Sequence, residues 1–544
     1  MSTIGVDLGT SGVRAVAYDE QGEQIAAAAE KTTLKRPREG WVALDAEAVL
    51  QSAESLLAAV AREGASRGDQ VRAIALSSQG EAVVPVDRQG RALSLAPVSR
   101  DARGELAAQA MSKRFGAERV QQITGQPLNR MFSIYKLAAG DDAWRPPAAS
   151  AYRALSDFIT TRWGAAPAID WTLAARTGLF DVDATDWSAE MMAAAAVDAP
   201  WLVEIPFSEC VPSGTPIGTI SDNAARRLGV PSGTALVAGA HDQAASFIGA
   251  GGKAGSVSTF ALGSSDCLTI ETSQRPAGIG GTGFATYPWR PERWLTLAGT
   301  AAGGWTLDWY VALTGVADAD ALLSESSPEP SPIIVLPYLA GSGTLDNDPS
   351  GRGAVIGLTL DHSRAQLTRA FLEAAGYELG SIVAAFTATD VPVGQIRAVG
   401  AGASNPITLG IRASASGVPL TPASGNASAR GAALLAGVGI GLFDIDDLPS
   451  ITLCATAYPG PPHRRLVHPA TTDLPRPLRR PQTFQPAIGS RPPHERTVQL
   501  CLSRRSPRRS PQLSGAAMPS ARSTYPTSTR PLLSSTQPVP RVRP

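Results

Sequence analysis

The feature that most constrains this chain is a strand–turn–strand unit that opens it and returns about 250 residues later. Thr3-Ile4-Gly5-Val6-Asp7 is a short apolar run ending in an acid, and Leu8-Gly9-Thr10-Ser11-Gly12 supplies turn residues. Val13 to Asp19 then alternates with a period of two, so the segment predicts a β-hairpin. In mid-chain, Gly255 to Leu262 leads into Gly263-Ser264-Ser265, and Cys267-Leu268-Thr269-Ile270-Glu271 follows. Two such hairpins predict a duplicated domain, each copy giving one turn to a shared cleft. The first is extended by a strand over Gln24–Ala29 and a helix from Asp45 to Arg62 with apolar residues at Val49, Ala53, Leu56, Leu57 and Val60. A buried strand over Val71–Leu76 completes the start of an α/β unit.

The length of 544 residues exceeds what one core of about 250–300 residues serves, so two domains are expected, with sequence to spare. In the second half, a long helix is predicted from His362 to Phe386 and a strand over Ile396–Val399. A Gly-rich turn spans Gly400 to Asn405, and helices follow over Pro406–Ser416 and Ala427–Ala436, the last ended by Gly437. The character then changes. Residues 459–544 hold 18 of the 43 prolines, and 15 arginines lie beyond Ile451 against only Asp473 and Glu495. Such a segment opposes helices and strands and offers few apolar residues to offset ordering, so 457–544 is expected to be a disordered tail. Its Arg/Pro/Ser bias also fits out-of-frame sequence from a GC-rich gene.

The formal charge of zero hides this asymmetry, since the chain before Ile451 carries a net −13. An acidic body is a poor nucleic-acid binder, because phosphate neutralisation needs clustered Lys and Arg. Cys210, Cys267, Cys454 and Cys501 form no C-x-x-C pair, which predicts free thiols rather than zinc or a disulfide framework. Neither a signal peptide nor an apolar run of about 18–20 residues is legible, so a cytoplasmic protein with no membrane partner is expected.

Chemistry enters at Asp7 to Gly12. A glycine turn presents backbone N–H groups to a phosphate, and Thr10 and Ser11 add hydroxyls. An acid at the strand end suits hydrated Mg²⁺, which usually meets protein through one or two carboxylates. An ordinary hairpin turn would look similar alone; its recurrence at Gly263-Ser264-Ser265 favours the phosphate reading.

Val6 to Ser11 resembles the first phosphate motif of the FGGY carbohydrate kinases. Further segments resemble that family in order: Ala238-Gly239-Ala240-His241-Asp242-Gln243-Ala244-Ala245 its catalytic-base segment, and Gly255–Ser265 its second phosphate motif. Leu336–Gly341, Gly357-Leu358 and His362 resemble its signature region, and Gly400–Ala403 with Gly431–Ala436 its adenosine side. The resemblance covers about residues 3–455. It implies an α/β protein of two actin-like (ribonuclease H-like) ATPase domains around a central cleft, with bounds of 1–250 for the sugar side and 251–456 for the nucleotide side. It implies an ATP- and Mg²⁺-dependent kinase acting on a small sugar or polyol, a ketose such as xylulose or fuculose, and is compatible with a homodimer.

By the same resemblance Asp242 is the general base, since a weakly nucleophilic hydroxyl needs a carboxylate in reach. The bland alternative is an N-cap for the helix beginning near Ala244. Asp7 falls to the metal. Gly9, Thr10, Ser11, Gly263, Ser264, Ser265, Gly402 and Ala403 fall to the nucleotide. Glu81 and Gln79, in Ser78-Gln79-Gly80-Glu81 after a strand, are substrate contacts, with Gln243, Asp101 and Arg103. A surface salt bridge is the other reading of Asp101 and Arg103. His241 is open to a substrate or a structural role. Departures stand at Ser99, where the family has Trp, and at Ser264, Thr408, Gly410 and Asn426. Autoinducer-2-type phosphorylation and an actin-fold ATPase without sugar kinase activity are the alternatives, and a tail that binds nucleic acid is a third.

Overall fold

Strand β1 (Ser2–Leu8) is buried at all seven positions, as a run of small and branched apolar residues at the centre of a sheet requires. The computed structural model of the protein describes residues 1–140, 144–279, 282–300, 303–389 and 391–453. These all lie in one compact unit, while the predicted tail lies outside the described residues.

In chain order the first sheet comprises β1, β2 (Gly12–Tyr18), β3 (Gln24–Lys31), β4 (Val71–Ser78), β5 (Pro216–Thr219) and β6 (Ala235–His241). The second comprises β7 (Val257–Leu262), β8 (Asp266–Thr272), β9 (Ala285–Arg290), β10 (Arg293–Thr300), β11 (Gln395–Val399) and β12 (Leu420–Pro422). Their orders are β5-β6-β4-β1-β2-β3 and β9-β10-β8-β7-β11-β12.

The two sheets share one plan. In the first, β1, β2 and β3 run antiparallel in turn, and β1 pairs in parallel with β4, which pairs in parallel with β6. In the second, β7, β8 and β10 make the antiparallel half, and β7, β11 and β12 are parallel. The duplicated hairpin foreseen from the glycine–hydroxyl turns is thus the corner of a duplicated sheet, which is the actin-like arrangement.

Helices form where apolar spacing and caps agree. α1 (Ala46–Ser66) starts at Asp45, whose carboxylate accepts from Glu47 N and Ala48 N, and packs Val49, Ala53, Leu57 and Val60 against the first sheet. A short α2 (Trp171–Ala175) is capped by Asp170 in the same way. α3 (Asp242–Gly249) follows β6 directly, and α4 (Gly304–Thr314) follows β10. α5 (Arg364–Ala388) opens with a capping box between Ser363 and Gln366. α6 is Pro406–Ser416 and α7 is Ala427–Gly439. α7 does not stop at Gly437 as expected: that glycine makes room for the ring of Phe443, and a Cβ there would lie 2.3 Å from it. No helix among the described residues is long and apolar enough to cross a membrane.

α7 is the element that brings the late chain back to the first sheet. A Cβ on Gly431 would lie 1.9 Å from the Ala245 carbonyl of α3, and one on Gly249 equally close to the Ala427 carbonyl. On the sheet side, a Cβ on Gly5 would lie 1.8 Å from the Ala429 carbonyl. Only glycine permits these approaches, so α7, α3 and β1 are locked at backbone contact. Gly431→Val is expected to lower stability by at least about 3 kcal/mol, the upper part of the usual overpacking range. A urea midpoint indistinguishable from wild type would contradict this packing.

Candidate active site

Because β1, β4 and β6 are parallel neighbours, their carboxyl ends open on one crevice, the usual ligand position of such sheets. Asp7 is the penultimate residue of β1, Ser78 ends β4 with Gln79-Gly80-Glu81 following, and His241-Asp242 joins β6 to α3. A register shift in β6 between Val237 and Ala240 sets this last corner; a Cβ on Gly239 would lie 1.8 Å from the Leu76 carbonyl.

Asp7 is buried and held from three elements. Ser77 Oγ donates to its Oδ1 at 3.2 Å, Arg14 approaches its Oδ2 at 3.6 Å, and the side chain of Asn426, the N-cap of α7, also bonds it. Burial still raises its pKa above the ordinary aspartate value, with Arg14 opposing. Thr10 Oγ1 donates to Gln79 Oε1 at 3.0 Å, which joins the hairpin turn to the end of β4, while Gly9 N donates to Gly12 O at 3.0 Å within the turn. Ser11 is exposed at the same turn.

Asp242 is the first residue of α3, with His241 at the N-cap, so its carboxylate is not spent on capping the helix. Its side chain is 30% exposed at the crevice floor. Burial, reinforced by the negative charges of Asp7 and Glu81, pushes its pKa up to about 7, with Arg176 and a hydrogen bond from Gln243 opposing. A carboxylate poised there both accepts a proton and holds it near neutral pH, which is what general base catalysis asks.

Glu81 is buried and paired with Arg176, whose Nε donates to Oε1 at 2.7 Å and whose terminal nitrogen adds a second bond. Arg176 also donates to Gln126 Oε1 at 2.9 Å and lies over the Phe132 ring. Lys136 is buried alongside, donates to the Val98 carbonyl at 2.8 Å, and is pushed down to about 7 by burial, with Glu81 and Asp101 opposing. Asp101 and Arg103 form a pair that is buried rather than on the surface: Arg103 Nε donates at 2.9 Å, and Val42 N donates to Asp101 Oδ2 at 2.7 Å. Arg103 also stacks on Trp41, 3.9 Å from its centroid. This pair braces the loop below Lys136, and the carboxylate is occupied by protein donors.

Three polar atoms in this neighbourhood are buried without a protein partner: Gln79 Nε2, Gln126 Nε2 and Gln243 Oε1. Two donors and an acceptor near the Asp242 carboxylate match the hydrogen-bonding capacity of hydroxyl groups. A cavity of about 620 Å³, lined by Phe115, Gln121, Arg275 and Thr286 among others, includes none of these residues.

The second hairpin turn is built into the start of α4. Gly263 N donates to Ser265 O at 3.3 Å, Gly304 N to Gly263 O at 2.8 Å, and Trp305 N to Ser264 O at 3.0 Å. Gly402 and Ala403 lie in a short 3-10 turn after β11, and a Cβ on Gly402 would meet Leu262 Cβ at 2.8 Å, so this turn packs on the strand leading to Ser264. Among the described residues no group of three or more His, Cys, Asp or Glu is gathered for a metal. Mg²⁺ held by one carboxylate with phosphate oxygens and water does not need such a cage, and the donor set at Asp7 fits it.

Arg176, Gln126, Lys136 and Tyr287 were not singled out from the sequence. Glu81 and Arg176 are 95 positions apart, and no local pattern links them. The usable signal was Glu81 itself, since a buried carboxylate demands a cation.

Comparison with known proteins places these features in a family. The N-terminal domain of the FGGY family of carbohydrate kinases matches residues 2–249, and its C-terminal domain matches 259–440. The chain is 29% identical over 463 residues to a xylulose kinase of Escherichia coli, covering 80% of this chain and 89% of that protein. It is 28% identical over 461 residues to a glycerol kinase of Citrifermentans bemidjiense, covering 81% and 90%. A xylulose kinase structure from Brucella ovis superposes with a TM-score of 0.74 at 24% identity, covering 85% and 95%, which supports the fold.

Arg176→Met is expected to cost about 3–5 kcal/mol by stranding buried Glu81, read from urea unfolding. The double variant E81Q/R176M is expected to recover part of the loss. A neutral single substitution would show that the pair is not buried in solution.

Proposed function

The chain belongs to the FGGY family of carbohydrate kinases, phosphotransferases with an alcohol group as acceptor, and we propose that Asp242 is its general base. The phosphoryl group moves from ATP to a hydroxyl of a small sugar or polyol, a ketose such as xylulose or fuculose. The observation that carries this reading is Asp242 itself: a partly exposed carboxylate at the end of β6, raised to about 7, beside Glu81–Arg176 and glutamines with unpartnered amide atoms.

Each residue has a task that follows from its position. Gln79, Gln126 and Gln243 offer Nε2 donors and an Oε1 acceptor to substrate hydroxyls, and leaving such buried groups unpaired penalises an analogue lacking the hydroxyl. Arg176 orients Glu81 and balances part of the negative charge around the crevice. Asp242 accepts the proton of the attacking hydroxyl, so that the oxygen reaches phosphorus as an incipient alkoxide. Thr10, Ser11, Ser264, Ser265 and the turn glycines line the side proposed for phosphates, with Gly402 and Ala403 on the adenosine side. Asp7 is the carboxylate that would hold Mg²⁺. When bound, Mg²⁺–ATP supplies the phosphoryl group and neutralises charge on it. Phosphoryl transfer asks little covalent work of a protein, which is why positioning and one base suffice.

The relatives named above include xylulose and glycerol kinases, which supports a small polyhydroxylated acceptor for this chain. The departure at Ser99, where the family has Trp, leaves the sugar itself to experiment. ADP release measured against a panel of ketoses, aldoses and polyols tests the reading: sugar-stimulated turnover is expected, whereas hydrolysis indifferent to every sugar would favour an ATPase.

Asp242→Asn is expected to lower kcat by about 10²–10⁴-fold, the usual contribution of general base catalysis, with little change in KM for ATP. Since the carboxylate works only when ionised, wild-type kcat is expected to fall as pH drops below about 7 rather than below the ordinary aspartate range. An acid limb near pH 4, or an unimpaired Asn variant, would remove Asp242 from the base role.

A further inference from the structure

His241 is buried between two polar partners that come from different parts of the chain. Its Nδ1 lies 2.8 Å from the hydroxyl of Tyr287 on β9 of the second sheet, and its Nε2 lies 3.1 Å from Asp242 Oδ1. Its backbone N–H donates to Thr172 Oγ1 at 2.7 Å, and that hydroxyl in turn bonds Asp170, the cap of α2. The strand carrying Tyr287 is itself fixed to the first domain: Thr286 N donates to Gly125 O at 2.7 Å, and a Cβ on Gly125 would lie 1.9 Å from Thr286 O.

A buried tyrosine hydroxyl beside an imidazole nitrogen can bias the tautomer, because it can donate to that nitrogen. The phenol of Tyr287 is held protonated by burial, and burial together with the charge of Arg176 holds His241 neutral. With both groups neutral, either can donate across the Nδ1–hydroxyl contact; when the phenol donates, the single ring proton resides on Nε2, the nitrogen beside the Asp242 carboxylate. We propose that Tyr287 and His241 are positioning residues for the base: Tyr287 selects the Nε2–H tautomer, and that N–H pole orients Asp242 and favours its ionised form. The proposal rests on Asp242 being the base and adds what keeps it ready.

The electrostatic setting makes such a device useful. Asp242 faces the charges of Asp7 and Glu81, which oppose ionisation, and those of Arg176, which favour it. Gln243 donates to it, while Cys267 and Tyr287 nearby are neutral. Lose the tyrosine hydroxyl and the histidine is free to place its proton on Nδ1, turning a lone pair toward the carboxylate. Ionisation would then be harder, and the acid limb would move to higher pH.

The test uses Tyr287→Phe, which removes one hydroxyl and leaves the ring. The chain has five histidines, so the His241 imidazole can be followed by ¹⁵N NMR and assigned by its loss in His241→Gln. In wild type, Nε2 is expected to be the protonated nitrogen. In Y287F that preference is expected to be lost. The acid limb of kcat should also rise by about half a pH unit or more, with kcat recovering at alkaline pH and KM for ATP within about twofold. A wild-type Nδ1–H tautomer would overturn the proposal, as would an unchanged tautomer with a superimposable pH profile in Y287F. The tautomer readout needs no turnover, so it separates failure of this proposal from failure of the base assignment, which Asp242→Asn decides.

Discussion

The close contact of α7 with α3 and β1 is the constraint on which the rest depends. Three glycines, Gly5, Gly249 and Gly431, let backbones meet where any Cβ would collide with a carbonyl. α7 belongs to the last part of the chain, and α3 and β1 to the first sheet's domain. The proposed base, Asp242, is the first residue of α3, and Asp7 near the end of β1 is bonded by the N-cap of α7. The same packing that joins late chain to early chain thus sets the relation between Asp7 and Asp242. Catalysis by positioning needs such a frame, because a misplacement of about 1 Å can cost about two orders of magnitude in rate.

What was legible in the sequence was what is written locally. The hairpins around Gly9–Ser11 and Gly263–Ser265, the α1 cap at Asp45, and α6 follow from turn chemistry, periodicity and capping, and the structure places them close to where those signals do. Asp7 and Asp242 were legible because each lies at the carboxyl end of an apolar strand. What was hidden depends on pairing between distant segments. Arg176 follows a five-residue helix in an Ala-rich stretch, and nothing around it announces that it meets Glu81. Tyr287 looks like any strand aromatic until β9 is seen beside His241. Asp101 and Arg103 read as substrate contacts or as a surface pair, because two residues apart in a loop carry no depth information; Trp41 and Val42, some 60 positions earlier, bury them.

The crevice concentrates like charge by design of its strand ends. Asp7, Glu81 and Asp242 gather there, answered by Arg14 and Arg176, and burial magnifies the imbalance. Glu81 is satisfied by its arginine, while Asp242, raised to about 7, is poised to accept a proton once it ionises near neutrality. Two neighbouring carboxylates driven to different tasks by their surroundings is the pattern by which one scaffold separates binding from proton transfer. Lys136, buried under the same loops and pushed down to about 7, extends this balance to the brace formed by Asp101 and Arg103.

On the proposed reading, the place of Asp242 in the fold holds the ionisation of its carboxyl group near neutral pH. Infrared difference titration of wild type against Asp242→Asn tests it directly, since a protonated carboxyl has its own C=O stretch. A carboxylic acid band present in wild type, absent in the variant and lost as pH rises through about 7 is the predicted result. A band that disappears near pH 4, with the ordinary aspartates, would contradict it.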